Sequence, residues 1–143
     1  MNDLYTARTP YELSRVCSDL IAEFGAGSGA IVLLDGDLGA GKTEFVRQFF
    51  KAFFGDWLEN LVASPTFAIM HEYVDNFRHI DMYRIDENQS MIAEIFELLH
   101  NGGWIFIEWA NDEVKKYIID YKLPFITIAI EVVDNERILR VIK

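Results

Sequence analysis

The run Gly36-Asp37-Leu38-Gly39-Ala40-Gly41-Lys42-Thr43 is where residue types and spacing point most directly to chemistry. A glycine, four residues, a second glycine, a lysine and a hydroxyl residue is the spacing of a phosphate-binding loop. Glycines let backbone N–H groups approach an anion with no Cβ in the way. Those donors converge with the N-terminus of a following helix into an anion cradle. In such a cradle Lys42 bridges β- and γ-phosphate oxygens, and the Thr43 hydroxyl reaches a magnesium ion. Asp37, Leu38, Gly39, Ala40, Gly41, Lys42 and Thr43 are therefore the expected nucleotide contacts. The plain alternative is a glycine-rich turn that binds nothing. Context opposes it, because an apolar run leads into the loop and an amphipathic stretch leads out.

Two acidic positions are candidates to complete a magnesium site. Glu108 follows the apolar run Trp104-Ile105-Phe106-Ile107, and Asp81 lies in His79-Ile80-Asp81-Met82-Tyr83. Ligands of open α/β sheets collect at the carboxyl ends of strands, where Glu108 is expected. A carboxylate there can hold Mg²⁺ or polarise the attacking water; the alternative for each is a solvated strand-end acid. Asp35 is a poorer candidate, since it precedes the loop on the same strand. Trp109 can stack or gate at that edge, or belong to the core. His71, His79 and His100 lack metal-type spacing and are read as structural.

Elements must hold these residues in place. Thr9-Pro10-Tyr11-Glu12 fits a capping box, and Leu13, Val16, Cys17, Leu20, Ile21 and Phe24 follow as one helical stripe that Gly25 and Gly27 stop. Residues 30–35 are a continuous apolar run, as in a strand buried on both faces. Phe45, Val46, Phe49, Phe50 and Phe53 mark a second helix closing near Gly55. Residues 67–73 and 77–83 read as strands joined around Asp75-Asn76. Ser90 caps a helix carrying Ile92, Ile95, Phe96 and Leu99, which Gly102-Gly103 ends. A helix is expected over 111–121. Residues 124–133 and 137–143 form a terminal hairpin turning at Asp134-Asn135. Alternation of strands and helices predicts a three-layer α/β sandwich of the phosphate-loop NTPase kind. Its central sheet is mainly parallel, with antiparallel additions and a C-terminal hairpin. With no repeat or linker, residues 1–143 read as a single domain.

Thirteen Lys and Arg stand against 23 Asp and Glu, a net charge of −10 with no basic block. Direct contact with nucleic acid is disfavoured, since it draws on a basic face to release phosphate counterions. Docking onto a basic protein is the better match. No apolar run approaches a membrane span, and the first residues lack the apolar core of a signal peptide, so a cytoplasmic protein is expected. Cys17, the one cysteine, falls in the apolar stripe and reads as a buried thiol.

Four blocks together, GDLGAGKT at 36–43, SPTF at 64–67, HIDMYR at 79–84 and IEW at 107–109, resemble the TsaE (YjeE) family in order and approximate spacing. The resemblance runs from the first helix to the final hairpin. It implies a Mg²⁺-dependent ATPase of tRNA threonylcarbamoyladenosine synthesis that works with TsaB-like and TsaD-like partners and meets tRNA only through them. Slow ATP hydrolysis, stimulated by those partners, would let their complex turn over repeatedly. On this resemblance Lys42 contacts phosphate, Thr43 and Glu108 bind magnesium, and Asp81 is the acid near the metal. Thr66 lies in a switch-like segment near the γ-phosphate, and Trp109 matches a tryptophan linked to activity. Thr9 and Asn135 are matched to the adenine site. Ala110-Asn111 stand where the family often has proline after IEW, and 85–103 match only loosely.

Three other readings compete. A small-molecule kinase on the same loop lacks an arginine-rich lid and room for an acceptor. A GTPase is disfavoured by the absence of Asn-Lys-x-Asp. A nucleotide-locked adaptor would bind ATP without needing to hydrolyse it.

Overall fold

The computed structural model describes residues 2–24, 29–55, 70–72, 77–83 and 89–143. Its elements are β1 (Asn2–Ala7), α1 (Pro10–Phe24), β2 (Ile31–Asp35), α2 (Lys42–Phe54), β3 (Met70–Glu72), β4 (Phe77–Asp81), α3 (Gln89–Leu99), β5 (Trp104–Glu108), α4 (Asp112–Asp120), β6 (Phe125–Val133) and β7 (Glu136–Ile142). Among the described residues the strands form one sheet in the order β1-β7-β6-β2-β5-β4-β3. The centre, β6-β2-β5-β4, is parallel throughout. Strands β7, β1 and β3 add to it antiparallel. The expected parallel centre with antiparallel additions is thus the observed architecture.

Side-chain alternation sends the two faces of this sheet into separate cores. Val32, Leu34, Trp104, Phe106 and Phe77 face the layer of α1 and α2. Ile31, Leu33, Ile105, Ile107 and Ile80 face α3 and α4. The α2 side is built largely of aromatic rings: Phe49 lies 4.6 Å from Trp104 and 4.8 Å from Phe106, centroid to centroid, while Phe77 lies 4.9 Å from Phe106. Phe49 is fully buried, so truncating it to alanine removes roughly 3–5 kcal/mol. Cys17 is buried in this core as expected, and burial pushes its thiol pKa up.

Local signals held where they were strong. The Glu12 N–H donates to Thr9 Oγ1 at 3.3 Å, and the Glu12 carboxylate accepts from the N–H of Arg8, one residue before the cap. Asn111 caps α4 by accepting from the Val114 N–H at 2.9 Å, so the helix proper is one residue shorter at each end than expected. Asp134 and Asn135, at φ 49° and 65°, make the two-residue turn of the hairpin β6–β7. Both left-handed residues match the right-handed twist of the flanking strands.

Three readings need correction. Strand β1 was not foreseen: Leu4 is 67% exposed, and the strand is held by pairing along β7 from Asn2↔Ile142 to Ala7↔Arg137. Strand β4 stops at Asp81, because the Asp81 carboxylate accepts the Tyr83 N–H at 2.9 Å and turns the chain. Helix α3 already contains Gln89, so Ser90 lies within it and is not the cap. Of the strand expected over 67–73, Met70–Glu72 is strand, and 67–69 and 73 lie outside the described residues. The expected stop at Gly25 and Gly27 and the turn at Asp75-Asn76 lie outside the described residues.

Candidate nucleotide and metal site

Strand β2 delivers the chain to the loop at Asp35, and α2 begins at Lys42. Gly36 is required by the scaffold: a Cβ there would stand 2.7 Å from the Ile130 carbonyl oxygen on β6. Gly41, at φ 112°, turns the loop into the N-terminus of α2, a conformation few L-residues adopt. Between them the Ala40 N–H closes a turn on the Asp37 carbonyl at 3.0 Å. Leu38 is exposed at the crest and Ala40 is anchored in the core.

Lys42 is only 5% exposed. Its Nζ donates to the carbonyls of Gly36 and of Asp37, the latter at 3.1 Å, and lies 3.9 Å from the centre of the Trp109 ring. Burial pushes its pKa down, opposed by the carboxylates of Glu108, Asp81, Asp37 and Asp35. One buried cation is thus set among four acids. A bare polyphosphate would meet a negative field there, and a divalent cation reverses that balance.

Sheet register brings the acids together. Glu108 pairs with Leu34 of β2 on one side and Asp81 of β4 on the other, all at the carboxyl ends of parallel strands. Glu108, 4% exposed, accepts from Thr43 Oγ1 at 3.0 and 3.2 Å and from His79 Nε2. Asp81 is less enclosed; burial pushes its pKa up, the Tyr83 N–H works against that, and neighbouring Glu108 adds to it. A hydroxyl and two carboxylates are hard oxygen donors, the set that suits Mg²⁺ completed by phosphate and water. Among the described residues no group of three His, Cys, Asp or Glu gathers to hold a metal unaided. The protein's donors fit a shared Mg²⁺–phosphate site.

Trp109 follows Glu108 at φ 58°, uncommon for a bulky residue. That turn lays its ring over Lys42 and 4.9 Å from Tyr83. Of the two readings of Trp109, its place is at the functional edge, partly packed on the α3–α4 core. On the other side of the loop, a cleft of about 720 Å³ lies between residues 35–40 and the hairpin, lined there by Ile130, Glu131, Val132, Ile138 and Arg140. Thr9 caps α1 and Asn135 sits in the hairpin turn, and neither lines this cleft. Thr66 lies outside the described residues. Sequence reasoning read His79 as structural and did not foresee its contact with Glu108, for which its alternation with Phe77 and Asp81 on one face of β4 was the available signal. It also missed Arg140, which no motif marks.

A family model for threonylcarbamoyl adenosine biosynthesis protein TsaE matches residues 8–140. The chain belongs to the TsaE family. The TsaE of Rickettsia typhi is 40% identical over 116 residues, covering 79% of this chain and 76% of that protein. The TsaE of Bacillus subtilis is 36% identical over 116 residues, covering 79% of this chain and 66% of its own length. The crystal structure of Bacillus subtilis YdiB superposes with a TM-score of 0.64 at 27% identity, covering 99% of this chain and 84% of that one. TsaE proteins are P-loop ATPase-type proteins of tRNA threonylcarbamoyladenosine biosynthesis, and the loop and sheet described above are those of that class. No helix among the described residues is long and apolar enough to cross a membrane.

Proposed function

We propose that residues 1–143 form one Mg²⁺-dependent ATPase domain that sustains repeated turnover of a TsaB–TsaD-type complex in the cytoplasm, meeting tRNA only through those partners. One observation carries this reading. The Thr43 hydroxyl and the Glu108 carboxylate, brought from different elements, meet within 3.2 Å beside the ammonium of Lys42. When bound, Mg²⁺ would neutralise phosphate charge and orient the triphosphate.

The chain's own residues do the rest. Backbone N–H groups of residues 37–43 and the start of α2 receive the phosphates. Lys42 exchanges its carbonyl partners for phosphate oxygens and stabilises the charge that grows on them. Thr43 and Glu108 would hold the metal. Asp81, beside Glu108 and more open to solvent, accepts a proton from the attacking water or orients it. Trp109 limits the excursion of Lys42 and screens it from solvent. Thr66 is proposed to report the γ-phosphate. The hairpin side of the cleft takes the adenosine, and Thr9 and Asn135, outside its lining, are assigned to the adenine on the family resemblance alone. Because phosphoryl transfer depends on positioning and electrostatics, turnover is slow until partners complete the site.

Phosphate release from Mg-ATP, with and without the two partners, tests this. Slow release that the partners stimulate and Lys42→Ala abolishes is the expected result. Tight ATP binding with no release would replace it with the nucleotide-locked adaptor. Phosphate transferred to a small acceptor would replace it with a kinase.

A further inference from the structure

We propose that His79 is a positioning residue for the metal-binding carboxylate: its Nε2–H fixes the Glu108 side chain in the orientation that accepts a divalent cation. This rests on the nucleotide–metal reading of the site above. His79 sits at the middle of β4, with no exposed surface, in the stripe Phe77–His79–Asp81 beneath α2. Register sets it between Phe106 of β5 and His71 of β3, and a buried imidazole costs more than an apolar side chain unless its polar atoms, taken out of water, are hydrogen-bonded. The imidazole reaches one partner, the Glu108 carboxylate, while Nδ1 has none among the described residues. A carboxylate acceptor places the ring proton on Nε2.

The geometry makes the contact directional. Glu108 is held from the helix side by Thr43 Oγ1 and from the neighbouring strand by His79. Register places His79 opposite Phe106 and Asp81 opposite Glu108, so the imidazole approaches the carboxylate from the interior of the sheet while Thr43 approaches it from the loop. Without that N–H, the carboxylate is free to turn toward the Lys42 ammonium, whose charge already acts on it. Outer-shell partners of this kind commonly account for 10–100-fold in metal affinity.

The test uses Mn²⁺ as the probe, titrated by electron paramagnetic resonance against the full chain saturated with ADP. His79→Leu removes the donor and keeps much of the volume. His79→Gln restores an N–H at similar reach, and His79→Asn is polar but too short. Mn²⁺ affinity should fall about 10-fold or more in His79→Leu and His79→Asn and return to within about threefold of wild type in His79→Gln. ADP affinity without metal should stay the same in all four proteins. If His79→Leu fails to melt cooperatively, the Gln and Asn pair carries the comparison alone. Wild-type Mn²⁺ affinity in a folded His79→Leu, or in both Gln and Asn variants, would overturn the role of His79. Failure of wild type itself to bind Mn²⁺ with ADP would overturn the ATPase reading and this inference with it.

Discussion

The two halves of the sheet treat charge in opposite ways. The parallel half, β2-β5-β4, encloses charged and polar groups around the loop: Glu108 at the end of β5, His79 in the middle of β4 and Lys42 at the start of α2. The antiparallel half, β6-β7-β1, carries ion pairs at the surface: Arg8 with Glu136 at 2.6 Å, and Lys143 with Asp3 and Glu23 at 2.9 and 2.7 Å. Enclosing charge costs desolvation that partners repay only in part, whereas exposed pairs change stability little. A fold tolerates the first arrangement where chemistry needs it. The hairpin half serves as scaffold, its Ile130 carbonyl buttressing Gly36 under the loop.

The contrast is sharpest in turnover. Glu108→Gln should lower phosphate release roughly 100-fold, the usual loss when a transition-state electrostatic group is removed. Glu131→Gln, at an acid that lines the cleft beside the loop on the hairpin side, should leave kcat within about twofold and alter only KM. Equal losses in the two variants would dissolve the distinction between the halves.

The seam between them comes next. A Cβ at Gly36 collides with backbone rather than a movable side chain. Gly36→Ala should therefore cost about 1–3 kcal/mol by denaturant unfolding. An unaltered midpoint would mean that β6 does not support the loop.

A smaller effect follows from Asp81, whose folded-state pKa is raised above 3.8 by burial and by Glu108. The folded protein then holds the Asp81 proton more tightly than the unfolded chain. Its contribution to stability is present at low pH and is lost as pH rises through the folded-state pKa. In EDTA, Asp81→Asn should raise Tm at pH 7, and the gain should vanish as pH falls to about 3.8 and below. A gain independent of pH would assign the effect to packing. The smallest change is expected for Arg8→Ala, which breaks an exposed pair and should move Tm by no more than ~2 °C.

Legibility in the sequence also divides along these lines. The loop, the buried strands β2 and β5 and the turn at Asp134-Asn135 announce themselves, because glycine spacing, unbroken apolar runs and left-handed turn residues are local signals. Glu108 was legible for the same reason, being the first acid after an apolar strand. The contact of His79 with Glu108 was not, since it depends on the register of β4 against β5, set by residues far apart in the chain. Strand β1 was silent because its partner β7 lies at the other end of the sequence and its own outward residues are mixed. The ring of Trp109 over Lys42 follows from a positive φ at a residue type that rarely adopts one.

The most direct test of the central claim is calorimetric titration of Mg-ATP into wild type and Lys42→Ala, with thermal melts of both. Wild type should bind. The variant should bind about 100-fold more weakly, as when one member of a buried charged contact is removed, and melt cooperatively with little change in Tm. Equal affinity in the two proteins would contradict the placement of phosphate on Lys42, and no binding by wild type would contradict the nucleotide site itself.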